Sequence, residues 1–247
     1  MTRWLLLAAA CRTPASAAPG GPMTPFTVAI LAQSNGSGAT GPSPFDLADQ
    51  LHRGAQVVDN GEALGAYPTL VGPEPWIVED LLDAGFAPRV VIRALPGLNL
   101  ENLRTKQLPL LIGDLGPTPP DVVLVWQGES DARVEGTARE YRQRLAGPFG
   151  VDGDESLRDL LRAQWPDAPM LVVELRVRDY DYAAFHREVR AAQHDAGTLP
   201  GVCLVPSYDA PLIQGDNQPH VSVEGLEIVA RHAVDAALAL TGGERCP

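Results

Sequence analysis

Acyl transfer by a serine needs four things. It needs an exposed hydroxyl, an imidazole to take its proton, an acid or amide to orient that imidazole, and N–H donors for the oxyanion. This sequence offers candidates for each. Ser34 is the candidate hydroxyl, because the apolar run Phe26 to Ala32 stops abruptly in Gln33-Ser34-Asn35-Gly36-Ser37. A buried strand that ends in a tight polar turn exposes a side chain at a sheet edge, although Asn and Gly also make turns for backbone reasons alone. Of five histidines, His52, His186, His194 and His232 fall in helical or helix-prone stretches. His220 is different. It lies in the loop Gly215-Asp216-Asn217-Gln218-Pro219-His220, just ahead of a last helix capped by Ser222.

Three groups could accept the Nδ1 proton of His220. Asp216 lies four residues before it, Asn217 three before, and Glu129 comes from another strand end. Turn formation is the ordinary role for Asp216 and Asn217, and helix capping or an ion pair for Glu129. Gln127 could donate its amide to an oxyanion or simply bond to backbone. Gly97 could let a backbone N–H approach the same oxygen or simply make its turn.

The elements that must position these residues alternate. Strands are predicted over 26–32, 89–95, 121–126, 170–175 and 202–205, and helices over 75–84, 100–111, 138–145, 157–165, 182–194 and 222–240. Residues 39–73 carry many Gly, Pro and polar residues and read as a long connection, with a helical turn or two over 45–51. Five strands alternating with helices imply an α/β fold, with a five-stranded parallel sheet between two helical layers. Ligands of such sheets bind outside the carboxyl ends of the strands. Ser34, Gly97, Gln127, Glu129 and His220 all fall at that edge.

Composition sets the remaining bounds. The chain has 247 residues, enough for one large domain, and 45% of them are hydrophobic. Lys and Arg total 19 against 31 acids, a formal charge of −12 that argues against nucleic acid or an anionic membrane surface as partner. Residues 1–22 read as a leader, with Arg3, an apolar stretch from Trp4 to Ala10, and a small-x-small site at Ala15-Ser16-Ala17. This predicts a secreted or envelope-located domain spanning 23–247. Met23 as the true start would make it cytoplasmic, and Cys11 as a lipid anchor is the third alternative. The apolar stretch is far too short to span a membrane. Cys203 reads as a small buried hydrophobe and Cys246 as a tail residue, with no disulfide framework and no Cys/His spacing for zinc.

Five blocks together resemble the sialate O-acetylesterase-like carbohydrate esterases, a branch of the SGNH hydrolases. They are Gln33-Ser34-Asn35, Gly72-Pro73-Glu74, Ala94-x-x-Gly97, Trp126-Gln127-Gly128-Glu129-Ser130-Asp131-Ala132, and Asp216…His220…Gly225. The resemblance spans 26 to about 240, and the block from Trp126 is its most specific part. It implies a flavodoxin-like α/β/α sandwich that hydrolyses O-acetyl esters of carbohydrates without metal or other cofactor. Ser34 would be the nucleophile and His220 the general base. The Ser34 and Gly97 backbone N–H groups and the Gln127 side chain would form the oxyanion hole, and Gln33 and Asn35 would meet the substrate.

Two departures stand out. Ala32 occupies the place of the family's Gly before Gln-Ser, and Asn217 occupies the place of its Asp three residues before the histidine. Asp216 is the favoured orienting acid, with Glu129 as its rival. An Asn can fix the imidazole tautomer but cannot stabilise imidazolium by charge. A carbohydrate-binding protein without catalysis, and an esterase for other short acyl groups, are the alternative functions. Arg176 and Arg178 follow the fourth strand and suit a carboxylate, with Asp179 or Asp181 as ordinary partners.

Overall fold

The strand that ends at Ser34 is the middle of the sheet. In the computed structural model, which describes residues 23–33, 35, 42–68, 71–147, 155–176, 184–213, 220–244 and 246, β1 (Thr24–Ala32) lies between β4 (Phe86–Ala94) and β5 (Val122–Trp126), parallel to both. Residues Val28 to Ala32 are buried. An unbroken apolar run is what a parallel strand covered on both faces requires. Its side chains divide by alternation. Val28 and Ile30 join the core under one helical layer, and Ala29 and Leu31 the core under the other.

The first layer holds α1 (Leu47–His52), α2 (Glu74–Asp83) and α8 (Val223–Thr241). The second holds the other helices. There α3 (Leu100–Asn102) passes through a π-helical turn (Leu103–Gln107) into α4 (Leu108–Leu115). It is followed by α5 (Glu135–Ala146), α6 (Leu157–Gln164) and α7 (His186–Gly197).

Beyond β5 lie β6 (Met170–Val173) and β7 (Val202–Val205), both parallel. The order β4-β1-β5-β6-β7 is the flavodoxin-like order, and it reverses direction at β1. All five of these strands were expected.

The sheet has seven strands rather than the five expected. On the β4 edge, β2 (Gln56–Asp59) pairs parallel with β4, and β3 (Glu62–Ala63) pairs antiparallel with β2. The turn between them is Asn60-Gly61, both at positive φ (48° and 90°), a two-residue hairpin turn. These strands sit inside the Gly- and Pro-rich stretch read as a connection. They are too short for the alternation of apolar residues to show.

The cysteines also differ from expectation. Cys203 on β7 is bonded to Cys246, 43 positions further along the chain, with Cα atoms 5.7 Å apart. α8 packs along β6 and β7, and its end returns the tail to the strand where Cys203 lies.

Candidate active site

The end of β1 is held on both sides by main chain. Leu95 N–H donates to Ala32 O at 3.3 Å, and Gln33 N–H donates to Trp126 O at 3.2 Å. The turn after β1 therefore lies between the turn after β4, with Gly97, and the turn after β5, with Gln127 to Asp131. This is where strand order reverses, the usual ligand crevice of an open α/β sheet. Ser34 itself, with Asp216 and Asn217, lies outside the described residues. So do Arg178 and the two aspartates named as its ordinary partners. The residues on either side of Ser34 are described, and both are turned inward. Gln33 is buried, and its Oε1 accepts from Ser130 N–H at 3.4 Å. Asn35 is 1% exposed. Its Nδ2 donates to Glu129 Oε1 at 2.7 Å, and its Oδ1 accepts from Val221 N–H at 3.1 Å. The two side chains expected to meet substrate are thus engaged with the protein.

Val221 carries the connection to the histidine. His220 precedes it and is half-buried. The His220 carbonyl accepts from Ile213 N–H at 3.0 Å, Ser222 N–H donates to Pro211 O at 2.8 Å, and Leu212 and Val221 form an antiparallel bridge. Ser222 then caps α8 as expected, its Oγ accepting from Gly225 N–H at 3.2 Å. Gly225 is required by packing. A Cβ there would lie 2.6 Å from Pro211 O and 2.9 Å from Val221 Cβ. The first turn of α8 can press against the histidine loop because residue 225 has no side chain.

Glu129 is buried, and burial pushes its carboxyl up to about 7 from an ordinary 4.5. The charge of Asp131 adds to the rise, while hydrogen bonds from backbone, Asn35 and Gln33 oppose it. Among the described residues, its Oε2 has no hydrogen-bond partner within bonding geometry. Glu129 thus meets the histidine loop through Asn35, at Val221. A buried carboxyl near neutrality, in a crevice, is a mark of sites that move protons.

Gln127 and Asp131 are tied together. Gln127 Nε2 donates to Asp131 Oδ2 and, at 3.3 Å, to Leu98 O. Asp131 Oδ2 also accepts from Leu100 N–H at 2.9 Å. Both contacts of the Gln127 amide nitrogen are with protein acceptors, one of them a backbone carbonyl, the alternative the sequence leaves open beside an oxyanion role. As placed, Gln127 and Asp131 pin the backbone of the turn that presents Gly97. Gly97 is exposed at φ 75°, and the direction a Cβ would take is open. Burial raises the Asp131 carboxyl to about 6, against the opposing hydrogen bond from Gln127.

Two more acids were present in the sequence without a role. Glu74 opens α2, is buried, and accepts from Gly72 N–H at 3.2 Å. Burial drives it up to about 8. Glu174, after β6, bonds to Arg190 and to His194. Burial pushes it up, but the bonds to His194 and Arg190 outweigh that and leave it below the usual range. The guanidinium of Arg176 is bonded to Tyr208 O.

The architecture is shared with solved structures. A protein from Arabidopsis thaliana matches with a TM-score of 0.66 at 18% identity, over 87% of this chain and 98% of that one. A carbohydrate acetylesterase from Xanthomonas citri matches at 0.61 and 16% identity, over 89% of this chain and 57% of that one. A family 3 carbohydrate esterase from Clostridium thermocellum matches at 0.57 and 13% identity, over 89% and 98%. The chain has the fold of known carbohydrate esterases. No protein-family model matches the sequence, and no curated protein matches it in sequence. Identities this low establish the fold, and function must be argued from the site.

Proposed function

We propose that this protein is a serine esterase that removes O-acetyl groups from carbohydrates. The observation that carries the reading is the convergence of two turns on Asn35: the one that contains Ser34, and the one that contains His220, bonded to it through Val221 N–H. They meet at the reversal point of a sheet whose structural neighbours include two carbohydrate esterases.

Ser34 attacks the acetyl carbonyl as His220 takes the hydroxyl proton. The backbone N–H groups of Ser34 and Gly97 stabilise the oxyanion. His220 returns the proton to the sugar hydroxyl as it leaves, and then activates the water that releases acetate. Asp216 orients His220, with Glu129 acting at one remove through Asn35. Acetylated carbohydrate is the substrate class, and no step calls for a cofactor. The leader-like residues 1–22 and the Cys203–Cys246 bond both support export to an oxidising compartment.

The displacement of the acid to Asp216 favours a second reading, a saccharide-binding protein on the same fold. The two readings separate on acetate release from p-nitrophenyl acetate and from acetylated xylan. An esterase releases acetate from both, and a binding protein retains xylan without hydrolysing either.

A further inference from the structure

We propose that Asn35 is a positioning residue, whose side-chain amide sets the spacing between the turn that carries Ser34 and the loop that carries His220. This rests on the serine esterase reading above. A carboxamide has a donor end and an acceptor end, and Asn35 uses both on buried partners. The donor end bonds Glu129 Oε1 at 2.7 Å, and the acceptor end takes Val221 N–H at 3.1 Å. Asn35, Glu129 and Val221 are 1%, 3% and 1% exposed. Asn35 directly follows Ser34, and Val221 directly follows His220. Each end of the amide therefore acts one residue away from a reacting side chain. The reacting groups of a serine–histidine pair must be held within a fraction of an ångström, and small misplacements cost rate rather than binding.

The polarity of the bond makes the role testable. Asn35→Asp keeps the acceptor for Val221 and puts a second carboxylate against Glu129. Two carboxylates in contact cannot both ionise, so that variant holds its geometry only when the pair carries a proton. Adding Glu129→Gln restores a donor–acceptor pair with its direction reversed, at any pH. Among the described residues, the titratable groups facing this contact are Asp131 on the Glu129 turn, Tyr141 from α5 and His220 before α8, with Arg144 from α5 acting on Asp131.

The experiment measures kcat and KM of the full chain on p-nitrophenyl acetate from pH 5 to 9. It compares wild type, Ser34→Ala, Asn35→Ala, Asn35→Asp, and Asn35→Asp combined with Glu129→Gln. Asn35→Ala is expected to lower kcat by roughly 10- to 100-fold with KM changed less than about threefold. Asn35→Asp is expected to lose as much at pH 8 and to recover relative to wild type as pH falls. The combined variant is expected to return to within about threefold of wild-type kcat at pH 8. If Asn35→Ala does not fold, recovery in the combined variant decides. A flat ratio of Asn35→Asp to wild type across pH, with no recovery in the combined variant, overturns the role. Absence of Ser34-dependent hydrolysis in the wild type overturns the esterase reading and this role with it. Ser34-dependent hydrolysis that the Asn35 variants leave unchanged overturns this role alone.

Discussion

Asn35 and Glu129 are 94 positions apart in sequence and meet at 2.7 Å, both buried. The contact joins the turn after β1 to the turn after β5. The same amide reaches the residue beside His220, so three segments distant in sequence share one side chain. The acid at its centre is held in an environment that resists its ionisation.

That environment has a consequence for stability. Burial raises the Glu129 carboxyl from 4.5 to about 7. The folded state therefore binds a proton more tightly than the unfolded state, and stability falls as pH rises from about 4.5 through about 7. Glu129→Gln removes this dependence. Relative to wild type, the variant is expected to gain on the order of 3 kcal/mol between pH 4 and pH 8. Urea unfolding at both values measures it, and parallel pH curves for the two proteins would refute it.

Gly225 ties the last helix to the histidine loop by close approach. Gly225→Ala must displace Pro211 O or Val221. The expected cost is about 1–3 kcal/mol in thermal or urea unfolding, with a fall in kcat because Val221 adjoins His220. An unchanged melting temperature and rate would show that the loop yields freely.

The Cys203–Cys246 bond closes a long loop that includes the histidine segment and α8. Cys246→Ser is expected to cost about 2–4 kcal/mol. A reductant should lower the melting temperature of wild type and leave that of the variant unmoved. Equal sensitivity of both proteins to reductant would contradict the pairing.

Much of the fold was legible because central parallel strands announce themselves. Phe26 to Ala32 and Val122 to Trp126 are unbroken apolar runs, and each lies where expected. The two missed strands, β2 and β3, total six residues at the sheet edge. The pair Asn60-Gly61 is their one sharp signal, and it is set among other glycines and prolines. That Gly97, Gln127, Glu129 and His220 fall at one edge was legible because strand ends in such a sheet share it. The partners of Gln127 and Asn35 were not legible. Pattern identifies which residues reach an edge, but whether a carboxamide meets a ligand or a carboxylate is decided by how the turns pack, across 94 and 186 positions for Asn35 and 4 and 29 for Gln127. The tail cysteine was illegible for the same reason. Nothing in local sequence says that the end of α8 returns to β7.

Ser34 is the proposed nucleophile of an acetylesterase. The most direct measurement is acetate release from p-nitrophenyl acetate by wild type and by Ser34→Ala, with circular dichroism to establish that both are folded. Turnover by the wild type and a loss of about 10³-fold or more in the variant are expected. Wild-type turnover retained in a folded Ser34→Ala protein, or no turnover by the wild type on any acetyl ester, would contradict that role.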